Sequence, residues 1–233
     1  MAKTYTVGKA LALLQTQMCL PDITPFAAPI CDEALSFIWD AFDWKASLGE
    51  LAPFYLLPQE QDYGAPLSAV PSDLMVLRTA RVRNNDSYTV KDLDVVASLP
   101  VTDLFAFPDT ISYEPAVSKF RVHPVPPGSL VASQYQVEGT YKKNHTQVTP
   151  ATINSLVLPW DDQYFDVFRK TLRWKWLDET GSSMAGQIVF YPDGSVSATG
   201  SAAVAWHAIL NMARREGLGD APEQIVPNVE LFR

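Results

Sequence analysis

The sequence predicts an α+β protein: a discontinuous four-helix bundle formed by both chain ends, with an inserted antiparallel β-rich domain and an extended C-terminal tail. Three observations lead there. Apolar residues recur at helical spacing at both ends of the 233-residue chain. Ten prolines lie between positions 53 and 127, too densely for long helices, with short β-type runs between them. Residues 218–233 hold Ile225, Val226, Val229, Leu231 and Phe232 around two prolines and read as extended. The expected division is 1–44 helical, 45–158 β-rich, 159–217 helical again with a small hairpin at 187–199, and 218–233 as the tail.

Taken in order, Thr6 caps a helix reaching Met18, with Val7, Ala10, Leu11 and Leu14 on one face. Thr24-Pro25 opens a second, since proline suits the first helical turn. Ala27, Ile30, Cys31, Ala34, Leu35, Ile38, Trp39 and Phe42 give it a broad apolar face to about Asp43. Then come β-type runs at Leu74–Val82, Ser87–Val90, and a hairpin of Thr110–Tyr113 with Lys119–His123. Leu130–Tyr141 alternates Val131, Tyr135, Val137 and Tyr141, as a half-exposed strand does. Val95–Leu99 reads as a brief helix.

Helical spacing returns after Pro159. Asp161 or Asp162 caps a helix whose stripe is Tyr164, Phe165, Phe168, Leu172 and Trp176, ending near Thr180-Gly181. Pro192-Asp193-Gly194 is a turn between β-type residues. The last helix, about Gly200 to Glu216, turns Val204, Ala205, Ala208, Ile209 and Met212 inward and stops at Gly217.

Composition narrows the function. A net charge of −8 argues against a molecule held on nucleic acid by bulk electrostatics. Two cysteines in apolar surroundings make neither a disulfide framework nor a zinc spacing. No run approaches the roughly 20 apolar residues of a membrane span, and no cleavable leader is expected. His123, His145 and His207 lack partners at ligand spacing, and neither a nucleophile elbow nor a phosphate loop occurs. Asp92 with Asp94, and Asp161 with Asp162, read as turns or caps rather than metal ligands. The expectation is a non-enzymatic chain without cofactor or metal.

The candidate contacts are of three kinds. Arg78, Arg81 and Arg83 lie on one β run, the last two on one face, and Arg169 and Arg173 sit a helical turn apart. DNA contact, ion pairing with an acidic neighbouring subunit and plain surface charge all remain open for them. Trp174 falls off the main helical stripe and reads equally as interface or core. The tail residues Ile225, Val226, Val229, Leu231 and Phe232 need something to dock on, either their own domain or a partner chain.

Several stretches in order carry a resemblance: 54–63 (Phe-Tyr-Leu-Leu-Pro-Gln-Glu-Gln-Asp-Tyr), Pro71-Ser72-Asp73-Leu74, Ile111 to Pro115, Lys119 to Pro127, Glu138 to Lys143, and Leu158-Pro159-Trp160-Asp161-Asp162 opening a helix. The series resembles head-to-tail adaptor (neck) proteins of tailed bacteriophages, the group similar to the tail tubular protein A of short-tailed phages. The resemblance spans about residues 24 to 230 and rests on order, because each motif alone is a strand, turn or cap signature.

It implies a structural virion protein made in the host cytoplasm. Identical subunits, commonly twelve, form a ring between the portal and a tail or nozzle protein, and genomic DNA passes without sequence-specific binding. The helical part then faces the portal and the β-rich part the tail, with the C-terminal residues on the portal or a neighbour. An acidic wall would let DNA slide. A competing expectation is a monomeric β-sandwich binding module, for instance for glycans. Another is a small hydrolase with an unrecognised carboxylate pair.

Overall fold

The computed structural model describes residues 3–218. In chain order the elements are α1 (Val7–Met18), α2 (Thr24–Ala41), β1 (Leu48–Glu50), β2 (Phe54–Tyr55), β3 (Asp62–Tyr63), β4 (Leu74–Asn84), β5 (Val90–Val96), β6 (Thr110–Glu114), β7 (Lys119–His123) and β8 (Tyr135–Lys143). A 3-10 turn (Asp162–Tyr164) then leads into α3 (Phe165–Glu179), followed by β9 (Ile188–Phe190), β10 (Val196–Ala198) and α4 (Gly200–Arg215). The chain divides into two compact units. One is Ser47–Asn144; the other joins the segment up to Ala46 with the segment from His145 onward.

In the helical unit, α1 forms as its sequence dictates. Thr6 Oγ accepts from Lys9 N at 3.2 Å, and Val7, Ala10, Leu11 and Leu14 are buried. In α2, Ala27, Cys31, Ala34, Leu35 and Ile38 line the core. The expected closed four-helix bundle is not what these helices make. A bundle needs helices that each bury one stripe, whereas α3 buries Val167, Phe168, Thr171, Leu172, Trp174, Lys175 and Leu177, well over half its circumference. Hence α1, α2 and α4 each pack on α3, and the β9–β10 hairpin packs on α4. The four helices accompany a large, curled, mixed sheet of eight strands, so α+β remains apt but the molecule is more β-rich than expected.

Residues 145–158, grouped with the sheet in the sequence reading, pack into the helical unit, where Val148, Ile153 and Leu158 are buried. Gly8 permits this approach: a Cβ there would stand 2.8 Å from Asn154 Cα. Asp162 does not cap α3. Its carboxylate accepts from Thr4 N (2.8 Å), Thr4 Oγ1 (2.5 Å) and Tyr5 N (3.2 Å), tying the start of the chain to the start of α3. In α4 the inward set includes Trp206 and Ala213, while Val204 points outward. Gly217 (φ 75°) ends it as expected.

The sheet unit runs β1-β8-β4-β5-β6-β7-β3, with β2 also paired to β8. It is mixed rather than antiparallel, because β5 and β6 are parallel, with Val95 opposite Ile111. Val95–Leu99 is not a helix: the β-branched pair Val95-Val96 finishes β5, and Glu114 takes up Leu99 N at 3.0 Å. Of Ser87–Val90 only Val90 is strand, as the first residue of β5, and β8 starts only at Tyr135. Residues 132–134 form a turn closed by Gln134 N on Val131 O, with Ser133 at φ 74°.

The sheet curls until β2 and β3, at its two extremes, share one core. Phe54 stacks on Phe120 (5.6 Å between ring centres) and meets Tyr63 at 5.0 Å. Tyr63 Oη accepts from Leu57 N at 3.1 Å and donates to Glu60 O at 3.0 Å. Outside that core, Arg121 holds Asp62 through Nε (2.6 Å) and Nη2 (3.0 Å) and reaches Leu99 O at 3.0 Å. The Arg121 hydrogen bond keeps the Asp62 carboxyl below its ordinary pKa.

Two outcomes are expected. Gly8→Ala should lower stability by about 1–2 kcal/mol in urea unfolding, because backbone crowding at Asn154 outweighs the helix propensity gained. Asp62→Asn should cost about 1–3 kcal/mol at pH 7. Since the folded-state pKa of Asp62 is depressed, its stabilisation is present above the unfolded carboxylate value near about 4 and disappears as pH falls through the folded value. The gap between variant and parent should therefore close toward pH 2, and a gap unchanged with pH would contradict it.

Candidate functional site

The strand register brings several turns to one end of the sheet. β4 ends at Asn84 opposite Tyr135, where β8 begins, and Arg83 stands opposite Val90, where β5 begins. Because β6 runs parallel to β5, the segment leading into Thr110 lies toward this same end. β7 runs antiparallel to β6, so the chain leaves His123 toward it as well.

Local hydrogen bonding holds these turns. Asn84 Oδ1 accepts from Asp86 N (2.8 Å) and Ser87 N (3.2 Å), an Asx-type closure of the β4–β5 turn. Asn85 Nδ2 donates to Ser133 O (3.1 Å), and Gln134 Nε2 to Asp86 (3.0 Å), joining this turn to the approach of β8. In the β5–β6 crossover, Val125 N donates to Leu104 O (2.9 Å) and Ala106 N to Val125 O (3.0 Å). Phe107 packs edge-on against Tyr135 with ring centres 4.9 Å apart, and Lys91 Nζ donates to Pro108 O at 3.0 Å.

On this framework large apolar side chains face solvent. Tyr88 is 77% exposed and Phe105 52%, with Val90, Leu104 and Val131 at similar levels. Scattered exposed apolar residues are ordinary, but a group on ordered turns at one sheet end is what partner surfaces look like. Sequence reasoning missed this end and took Val131 for a strand position. The available signal was large apolar residues beside turn formers, as in Asn84-Asn85-Asp86-Ser87-Tyr88 and Asp103-Leu104-Phe105.

The cations singled out from sequence are placed differently. Arg81 and Arg83 do share a face, and both pair with Glu138 at 2.9 Å. Asp92 stands opposite Arg81 on the other side. Arg78 falls where the β4–β8 register slips between Leu77 and Thr79, so it does not continue that row. On α3, Asp166 pairs with both Arg169 and Lys170, while Arg173 is exposed a turn further on. Neither set forms an open run of cations.

Trp174 is core: 6% exposed, it packs edge-on against Phe37 with ring centres 5.0 Å apart. Beside it Lys175 is buried, its ammonium 2.5 Å from Glu33 and 4.6 Å from the Trp174 ring centre. Ile225, Val226, Val229, Leu231 and Phe232 lie outside the described residues.

Among the described residues no three His, Cys, Asp or Glu side chains group as they would around a metal ion. Nor is any described helix long and apolar enough to cross a membrane. Burial pushes the Cys31 thiol up to about 12, far from a reactive thiolate, and His145 bonds Asp32 at 3.1 Å. No protein-family model matches the chain, and no curated protein matches it either.

Glu138→Gln should release Arg81 and Arg83 from their carboxylate. Retention on immobilised heparin or duplex DNA at low salt should rise in that variant and fall again with added salt. Equal retention of variant and parent would mean that Glu138 does not mask them.

Proposed function

We propose that this chain is a non-enzymatic assembly protein, a head-to-tail adaptor of a tailed bacteriophage. Its copies form a ring between the portal and a tail or nozzle protein and continue the DNA channel. The observation that carries the reading is the ordered apolar end of the sheet unit, Tyr88, Val90, Leu104, Phe105 and Val131. A component that joins two others needs a surface prepared for a partner before the partner arrives. Turns already held by hydrogen bonds reduce the ordering cost of docking.

Two further features support it. The chain carries a net charge of −8, and Arg81, Arg83 and Arg169 are matched by carboxylates, as suits a wall along which DNA passes without sticking. The ordered series of motifs from Phe54 to Phe165 is the second. In this reading the apolar sheet end meets the tail-side component, and a heterologous interface between copies closes the ring.

Native mass spectrometry and negative-stain imaging of the purified chain mixed with portal test the proposal: a closed ring on the portal is expected, and a persistent monomer that ignores the portal overturns it. Tyr88→Asp with Phe105→Asp should leave the ring intact, shift unfolding by no more than about 0.5 kcal/mol per site, and weaken tail-component binding at least tenfold. Unchanged binding would remove the sheet end from the interface.

A further inference from the structure

The apolar end of the sheet unit carries charge of one sign. The segments 84–90, 103–109 and 124–134 meet there, and they hold Asp86, Asp103 and Asp109 but no lysine, arginine or glutamate. Asp86 stands two residues before Tyr88 in the β4–β5 turn, and Asp103 directly precedes Leu104 and Phe105 in the crossover. All three aspartates are exposed.

Among the described residues, none of the three is paired with a cation. Asp86 accepts from Gln134 Nε2 at 3.0 Å and Asp109 from Thr110 Oγ1 at 2.8 Å, both neutral donors. The cations bordering this end are held within the chain. Lys91 Nζ donates to Pro108 O and lies 5.2 Å from the Phe107 ring centre, while Arg81 and Arg83 share Glu138. Uncompensated carboxylates around apolar groups repel an acidic surface and draw a basic one.

We propose that the sheet end takes a protein partner whose apolar side chains are flanked by lysine or arginine. The inference rests on the reading of the sheet end as a docking surface and adds the charge of what docks there. Tyr88, Leu104 and Phe105 provide the apolar area to be covered. The aspartates act at its rim, where water remains and a carboxylate need not be stripped of it. Such rim charges speed the encounter with a basic partner and select against an acidic one. Nucleic acid is turned away on the same ground, since its phosphates carry the same sign.

Chemical-shift mapping on the isotope-labelled full chain tests it with two probes. One is a short amidated peptide alternating leucine and tryptophan with lysine; the other has glutamate in place of lysine. The lysine peptide should shift the amides of residues 84–90 and 103–109 and bind about tenfold more tightly than the glutamate peptide at low salt, a gap that added salt narrows. Asp86→Asn, Asp103→Asn and Asp109→Asn together should bring the two peptides to within about twofold, because asparagine keeps an oxygen for Gln134 and Thr110 but loses the charge. Tyr88→Ser with Phe105→Ser should weaken the lysine peptide at least tenfold, and the spectra report that each variant is folded. Equal affinity of the two peptides at the sheet end, or a preference that survives in the triple variant, overturns the charge assignment alone. Shifts from both peptides that avoid the sheet end, or lysine-peptide binding unchanged by the two serines, overturn the docking reading as well.

Discussion

The burial of α3 is the constraint on which the helical unit depends. A helix that hides Phe168 and Leu172 on one side and Trp174 and Leu177 on another needs cover from several directions. α1 and α2 supply part of it and α4 the rest, so residues from both sides of the sheet insertion must meet in one core. Two polar ties reinforce this return of the chain. Asp162 collects two amides and a hydroxyl from Thr4 and Tyr5, and Lys175 brings its ammonium to Glu33 on α2. The thermodynamic weight nonetheless sits with the apolar core. Asp162 is only partly buried, and Lys175 meets a Glu33 that is itself exposed, so neither tie matches the apolar contacts around it.

Sequence periodicity made α1, α2, α3 and α4 legible, because each repeats apolar residues at the spacing that its own burial requires. It failed where burial wraps further round a helix than one stripe. Trp174 and Lys175 look like outward residues when only the Phe168–Leu172 stripe is counted, yet a second small core with Ala202 and Ala205 claims Trp174. The closed bundle was the natural inference from four one-sided helices, and two-sided α3 is why it does not form. In the sheet, the β6–β7 hairpin was readable from turn residues between alternating positions. The parallel pairing of β5 with β6 was not, because nothing local in Val95–Leu99 encodes a crossover that returns along the sheet.

That crossover also decides which residues the sheet end displays. Had β5 and β6 been joined antiparallel by a tight turn, Leu104, Phe105 and Phe107 would not have been carried to the end where β4 hands over to β5. The parallel pairing requires a long connection, and the connection is where apolar residues can be displayed without disturbing the ladder. Phe107 faces inward on Tyr135 and serves as the anchor, while Leu104 and Phe105 face outward. The candidate surface was hidden from sequence reasoning for the same reason that the sheet topology was.

Charge and apolar surface divide the labour on the sheet unit. On the outer face, Glu138 lies between two guanidiniums and Asp92 opposite one of them, so the cations found by sequence are mostly spent within the chain. Exposed ion pairs of this kind contribute little to stability, about 0–1 kcal/mol each, but they flatten the local potential. A face so neutralised gives little purchase to a phosphate backbone. The sheet end, by contrast, holds aromatic and aliphatic groups on turns braced by the hydrogen bonds of Asn84, Asn85, Leu104 and Ala106. Water released from those groups on docking is free energy that ion pairs in solvent cannot supply, at roughly 25 cal/mol per Å² of apolar surface covered. On the proposed reading, affinity for a protein partner would come from the apolar end, with the paired charges leaving the rest of the sheet a weaker competitor.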